Sequence, residues 1–309
     1  MSATALQRCP RCGNENSGDS FACSFCGKRL RIEKIEKIPF FKRIEEDWFN
    51  PYPWYIKILY LIINPSRAFW DINHLRKKSP GLLILLLSSL FYGFIGLIIF
   101  SRFNITSGGI PVDLVFTSVY SLGFLLAFFL FGFFYQLLLF YFLIWIYTKG
   151  ANYSVGFTQK LEKRFGLGKQ KKEPFEHAKL SPFSIYKGGT LLQKQEAFKS
   201  KMMLCAFTPF MIINLVKLIV VAIGFSTSGV INLGTTDLDN FFRNMMENPL
   251  WAVLDVLDAI TLAVWVPILI TISIRELSNS STYRVLITSY IISIIVSIFI
   301  FFLRPTLFG

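Results

Sequence analysis

Residues 82–101 read LLILLLSSLFYGFIGLIIFS, twenty consecutive residues without a charge. At about 1.5 Å of rise per residue, a helix of that length crosses a bilayer core of roughly 30 Å. Working outward, four more runs are apolar enough to do the same: Val119–Tyr147, Met202–Ile223, Leu250–Ile274 and Val285–Leu303. The second lies in an uncharged stretch from Leu114 to Thr148, long enough for one tilted helix or for a hairpin of two short spans. A hairpin would put a nearly neutral flank and a strongly basic one on the same side, so a single span fits better. The composition, 53% hydrophobic with 33 Phe, carries more apolar surface than a soluble core of 309 residues can hide. The first apolar run begins only at Leu82, so no signal peptide is expected. These runs predict an all-α polytopic membrane protein, a bundle of about five transmembrane helices over residues 81–303.

The net charge of +13 is concentrated in two blocks outside the apolar runs. Residues 1–80 hold 14 Lys and Arg, and the 149–201 segment holds 12. The 102–118 connection has only Arg102 and the 224–249 connection only Arg243. Alternate connections are thus rich and poor in basic residues, the positive-inside pattern. It predicts a cytosolic N-terminus, a basic cytosolic loop at 149–201, and an external or lumenal C-terminus with a short tail at 304–309. Blocks of this kind fit anionic headgroups on the cytosolic face of a bilayer.

Ahead of the bundle stands Cys9-Pro-Arg-Cys12-Gly13, then nine residues, then Cys23-Ser-Phe-Cys26-Gly27. Two cysteines three apart chelate one ion from a single tight turn, and the glycine after each pair permits a positive φ. Two such knuckles close a tetrahedral sulfur shell that suits one structural Zn²⁺ and leaves no open position for catalysis. Residues 1–30 are therefore read as a small four-cysteine zinc ribbon. Its loop, CGNENSGDSFAC, is not basic, so a protein contact is expected in place of nucleic acid. Cys205, at the head of an apolar run, reads as a small buried hydrophobe.

Residues 31–80 are too polar and too proline-broken to span. Trp48, Trp54, Tyr55 and Trp70 interleave there with Lys57 and Arg67, the pattern of helices lying in the headgroup layer, or of aromatics capping the bundle. Inside the spans, Lys217, Asp255 and Asp258 fall at similar depth, with Asn214 one turn before the lysine. Unpaired, they would each cost several kcal/mol in lipid, so an ion pair is expected. A polar cavity for an ion or lipid headgroup is the competing reading. Ser89, Gly93 and Gly96 offer a close-packing face for another helix, within the chain or in a second copy. The histidines, His74 and His177, sit in polar loops apart from each other, and no phosphate-cradling glycine motif occurs, so an enzyme is not expected.

With these residues in view, positions 58–303 resemble the Yip family of Rab-GTPase-interacting membrane proteins. The carriers are Ile63-Asn64-Pro65-Ser66-Arg67-Ala68-Phe69-Trp70-Asp71-Ile72, Lys78-Ser79-Pro80-Gly81, Ala206-Phe207-Thr208-Pro209, Trp265-Val266-Pro267 and the Ser278–Val285 lead into the last span. An N-terminal zinc ribbon is similar to what prokaryotic relatives carry. The 149–201 loop is longer than the family pattern. The resemblance implies a non-enzymatic scaffold or adaptor tied to membrane organisation or trafficking, with a cytosolic partner such as a small GTPase, and a plasma-membrane location in a prokaryote. The alternative from the residues themselves is a small transporter or lipid-handling protein using the Lys217, Asp255 and Asp258 cluster.

Overall fold

The computed structural model describes residues 6–23, 26–45, 50–75, 79–101, 104–107, 110–111, 114–164, 191–224, 230–232 and 249–308. Among these residues are five helices long and apolar enough to cross a membrane: Gly81–Ser101, Val115–Val155, Ala197–Gly224, Leu250–Ser278 and Thr282–Phe302. The chain is an all-α polytopic membrane protein with a four-cysteine cluster near its N-terminus.

The second run is one helix, α4 (Leu114–Val155), and not a hairpin. Its 42 residues rise about 63 Å, roughly twice a bilayer core. The basic segment after it is correspondingly not all loop. The helix continues past Lys149 to Val155, Gly156 ends it at φ +63°, and α5 (Phe157–Arg164) follows. A glycine in that left-handed position is a low-strain helix stop. Asn152 secures the junction by accepting from the Thr158 amide at 2.7 Å. The end of the segment is helical too, as α6 (Leu191–Leu204), while residues 165–190 lie outside the described residues.

Prolines set the irregularities of the third and fourth spans. Following α6, a 3-10 turn at Cys205–Phe207 leads into α7 (Thr208–Gly224), whose second residue is Pro209. Proline has no amide hydrogen for the preceding turn, and the Thr208 hydroxyl instead donates to the Cys205 carbonyl at 2.6 Å. In the fourth span, α8 (Leu250–Ile260) widens into a π turn at Thr261–Trp265, just before Pro267 near the start of α9 (Val266–Ser278). The last span is α10 (Thr282–Phe308).

The chain forms two compact units. One comprises Met1–Leu82, Tyr141–Thr208 and Val266–Ile292. It contains the ribbon strands β1 (Leu6–Arg8) and β2 (Glu15–Ser17), and the helices α1 (Trp54–Ile63) and α2 (Pro65–Leu75). Leu61, Phe69, Phe157, Phe207 and Ile270 are fully buried in it. The buried Lys57–Asp71 pair, at 3.0 Å, pins α1 to α2.

The other unit comprises Leu83–Phe140, Pro209–Trp265 and Ser293–Gly309, with a core built on Ile95, Ile99, Val221 and Leu254. Its helix α3 (Gly81–Ser101, from Leu83 onward) packs on α4 at the small residues noted in the sequence. A Cβ on Gly93 would come within 3.0 Å of the Leu125 carbonyl, and one on Gly96 within 2.4 Å of the Phe128 ring. Ser89 is buried, its hydroxyl donating to Leu85 at 2.8 Å. The packing partner is therefore another helix of the same chain. Beyond the helices, β3 (Asn104–Ser107) pairs with β4 (Ile110–Pro111) and, in parallel, with β5 (Val230–Asn232). The connections after the first and third spans thus meet each other.

Candidate metal centre and its dock

The two cysteine knuckles repeat one geometry. The Gly13 amide donates to the Cys9 carbonyl and the Cys9 amide to the Asn14 carbonyl, both at 2.9 Å. In the second, Gly27 donates to Cys23 at 3.0 Å and Cys23 to Lys28 at 2.8 Å. Gly13 and Gly27 have φ +72° and +71°, as the turns require. The Sγ atoms of Cys9 and Cys26 are 3.6 Å apart, as are those of Cys12 and Cys23, and all four lie within 4.8 Å of one another. A tetrahedral metal with bonds of about 2.3 Å to sulfur needs sulfur separations of about 3.8 Å, which this cluster brackets.

The sulfurs are prepared for a cation. Desolvation would raise the Cys9 thiol, but the Arg11 and Cys12 amides outweigh it and hold Cys9 below its ordinary value. Desolvation and the three facing sulfurs push Cys26 up to about 12, against the pull of the Lys28 amide. A bound dication offsets that crowding by stabilising all four as thiolates. The donor set can therefore hold one metal ion.

The ribbon is docked and does not hang from a linker. The Asn279 side chain clamps the backbone next to Cys23, accepting from the Ala22 amide at 2.9 Å and donating to the Ala22 carbonyl at 2.6 Å. Asn279 holds φ 49°, a conformation that asparagine tolerates better than most residues. Below it, Glu33 caps α10, accepting from the Ser281 hydroxyl at 2.5 Å and from the Thr282 and Tyr283 amides at 2.7 and 3.1 Å. A carboxylate there meets both the orphan amides and the positive end of the helix dipole. Glu36, fully buried, takes Arg43 at 2.6 Å and the Thr282 hydroxyl at 2.9 Å. Arg43 also donates to the Ser280 carbonyl at 2.6 Å and lies 5.3 Å from the Phe21 ring centroid. Arg275, which the sequence places between spans, is instead buried at the end of α9, donating to the Phe41 carbonyl and to the Ser66 hydroxyl. Lys160 of α5 reaches Asp19 of the ribbon at 2.9 Å.

Glu45 ties the ribbon to its own linker through Arg29 at 2.5 Å and Lys28 at 3.3 Å. Burial would raise its carboxyl, but the hydrogen bonds from Arg29 and Lys28 prevail and hold it below the ordinary carboxylate value. A depressed acid contributes stability that is present above its unfolded value, roughly 4.3, and lost as pH falls through the folded one. Glu45→Gln is therefore expected to loosen the ribbon by up to about 1 kcal/mol at pH 7, with the difference from wild type fading at acid pH. Trypsin susceptibility across pH, using amide exchange below the enzyme's range, reads this directly. A difference that stays constant down to pH 3 would discard it.

The aromatic anchors separate. Trp54 and Tyr55 are exposed, and Tyr55, Leu59 and Ile63 form an exposed stripe one turn apart on α1, opposite buried Lys57, Ile58 and Leu61. That is the arrangement of a helix lying in an interface. Trp70 is no anchor: it is buried in the first unit, because α2 is covered by α9 and α6 as well as by α1. Trp48 lies outside the described residues.

In the second unit Lys217 contacts Asp258, with its Nζ 5.6 Å from the Tyr92 ring centroid. The expected ion pair is thus formed, with Asp255 three residues earlier on the same helix. Asn214 does not extend the cluster as expected. Its amide donates to the Ser88 hydroxyl at 2.7 Å and the Ser88 carbonyl at 3.3 Å, tying α7 to α3. The sequence reading missed Glu33, Glu36, Arg43, Arg275 and Asn279, whose partners lie more than 200 residues away or within short turns. No family model, curated protein or solved structure matches the chain.

Proposed function

We propose that the protein is a multi-pass membrane scaffold of the Yip type, in which a zinc ribbon forms a fixed cytosolic platform for a protein partner. The observation carrying this reading is the dock: Asn279, Arg43 and Glu33 hold the ribbon to the turn between the fourth and fifth spans. A structural ribbon anchored in this way presents a surface of constant geometry, which is what an adaptor needs. Four thiolates and no open position favour Zn²⁺ as the ion and a structural role for it. The Lys and Arg distribution supports a cytosolic N-terminus and an external or lumenal C-terminus. The ribbon's contacts with Lys160 and Asn279 agree, since they join three segments that the rule assigns to one side. The exposed stripe of α1 rests against anionic headgroups on that side. The partner is a cytosolic protein, a small GTPase in the terms of the family resemblance, and the membrane is the plasma membrane in a prokaryote.

A crosslinked pull-down from native membranes tests this, comparing wild type with Cys9→Ser/Cys12→Ser and with Asn279→Gly. A partner captured by wild type and lost in both variants is the expected result. Identical capture by all three would remove the ribbon as the docking site. The second reading, a small transporter or lipid-handling protein, draws on the Lys217–Asp258 pair, and flux lost on Asp258→Asn in liposomes would favour it.

A further inference from the structure

Gln136 is buried at 2% exposure in the membrane-spanning part of α4, and neither atom of its amide has a hydrogen-bond partner. An amide stranded in so apolar a setting costs several kcal/mol unless something meets it. It lines a small cleft within the second unit, together with Tyr92, Phe210, Leu262, Ser297 and Asp258. Asp258 brings a second unmet group. One carboxylate oxygen contacts Lys217, while the other, Oδ1, is buried without a hydrogen bond. The π turn at Thr261–Trp265 begins three residues after Asp258, and Ser297 donates to the Ala259 carbonyl at 3.1 Å. Such turns within α-helices recur at functional sites.

The chemistry of the lining restricts the occupant. Lys217 already balances Asp258, so a free cation or anion would bring an uncompensated charge into hydrocarbon. Gln136 offers two donors and an acceptor, and Asp258 Oδ1 offers an acceptor. A complementary ligand must be neutral and must both donate and accept. The enclosed space admits about one or two water-sized groups. We infer that this cleft is a binding site for a neutral hydroxyl group, held between the Gln136 amide and the Asp258 carboxylate, supplied either by water or by the hydroxyl head of an uncharged membrane lipid. This site is independent of the ribbon and of the scaffold reading.

Hydroxyl-radical footprinting tests it, because radicals made from a bound water label the side chains beside it, and a lipid hydroxyl that displaces that water protects them. Phe210, which lines the cleft at 5% exposure, is compared with Phe100, a residue of the same type at 3% exposure elsewhere in the unit. In lipid-free detergent, Phe210 is expected to label about fivefold faster than Phe100, and Gln136→Leu to remove that excess. Gln136→Met, of similar length, serves if the leucine variant fails to fold. Adding dioleoylglycerol, with trioleoylglycerol as the control lacking a hydroxyl, then separates the sources. Protection of Phe210 by the first alone assigns the site to a lipid hydroxyl, and no protection by either assigns it to water. Equal labelling of Phe210 and Phe100, or an excess that survives Gln136→Leu and Gln136→Met, overturns the site.

Discussion

Replacing Cys9 and Cys12 by serine is expected to abolish metal retention and to open residues 6–30 to trypsin by at least about a hundredfold, since metal binding supplies ~10 kcal/mol or more to a domain of this kind. The ribbon has little else to fold on. Among the described residues its regular structure is a two-stranded sheet of three residues each and one isolated bridge between Ala22 and Arg29. Lys28, Arg29 and Arg31 lie within or just beyond the second knuckle, so they become cleavable when it opens. The consequence reaches the membrane domain. Ala22 adjoins Cys23, and loss of the second knuckle's geometry removes both hydrogen bonds to Asn279. Asn279→Gly provides the control: it keeps the positive φ comfortable and the metal in place while removing only the clamp. Metal content should read about one ion per chain in wild type and Asn279→Gly, and none in the cysteine variant. A cysteine variant that resists trypsin as wild type does would show that the dock alone folds the ribbon.

How far the fold was legible depended on the range of the interactions. The spans follow from local apolar length, which needs no partner, and all five appear where residues such as Leu82, Met202 and Leu250 begin the runs. Their irregularities were partly written too, since Pro209 and Pro267 each remove an amide hydrogen from the ladder. The cysteine knuckles are equally local, with Gly13 and Gly27 marking the turns. The dock was not legible. Glu33 and Asn279 look like ordinary solvated polar residues, and only three-dimensional closure brings them to α10 and Ala22. Arg275 looked like a connection residue because it sits near the end of an apolar run, yet burial among Phe41, Ser66 and Glu276 gives it a structural role. Trp70 misled for the opposite reason: an aromatic beside basic residues suits an interface or a covered helix equally well, and α9 decides it. Asp258 was the legible signal of the cleft, as a charge inside an apolar run, whereas Gln136, an uncharged amide in the apolar stretch of α4, did not stand out.

Arg43→Met should destabilise the first unit by about 3–5 kcal/mol, because it leaves the Glu36 carboxylate buried without its counter-charge. The Glu36 side chain is 0% exposed and that of Arg43 5%, so solvent cannot substitute for either. The Thr282 hydroxyl still donates to Glu36, but one neutral hydrogen bond offsets only about 1 kcal/mol of that cost. Removing both charges in Glu36→Gln/Arg43→Met should recover at least half of the loss, since an uncharged pair can occupy the same space without the desolvation penalty. Thermal unfolding in detergent reads the difference as a Tm lowered by roughly 10 °C in the single variant and partly restored in the double. Additive losses in the two single variants would mean that the ion pair is not what holds this region. Metal content separates the two predictions. Arg43 also donates to Ser280 and faces Phe21, so its loss loosens the ribbon from the turn before α10 while leaving the four sulfurs untouched. An Arg43→Met protein that keeps its metal but gains trypsin cleavage near Arg29 would establish that folding of the ribbon and docking of the ribbon are distinct steps, with the metal controlling the first and the buried Glu36–Arg43 pair the second.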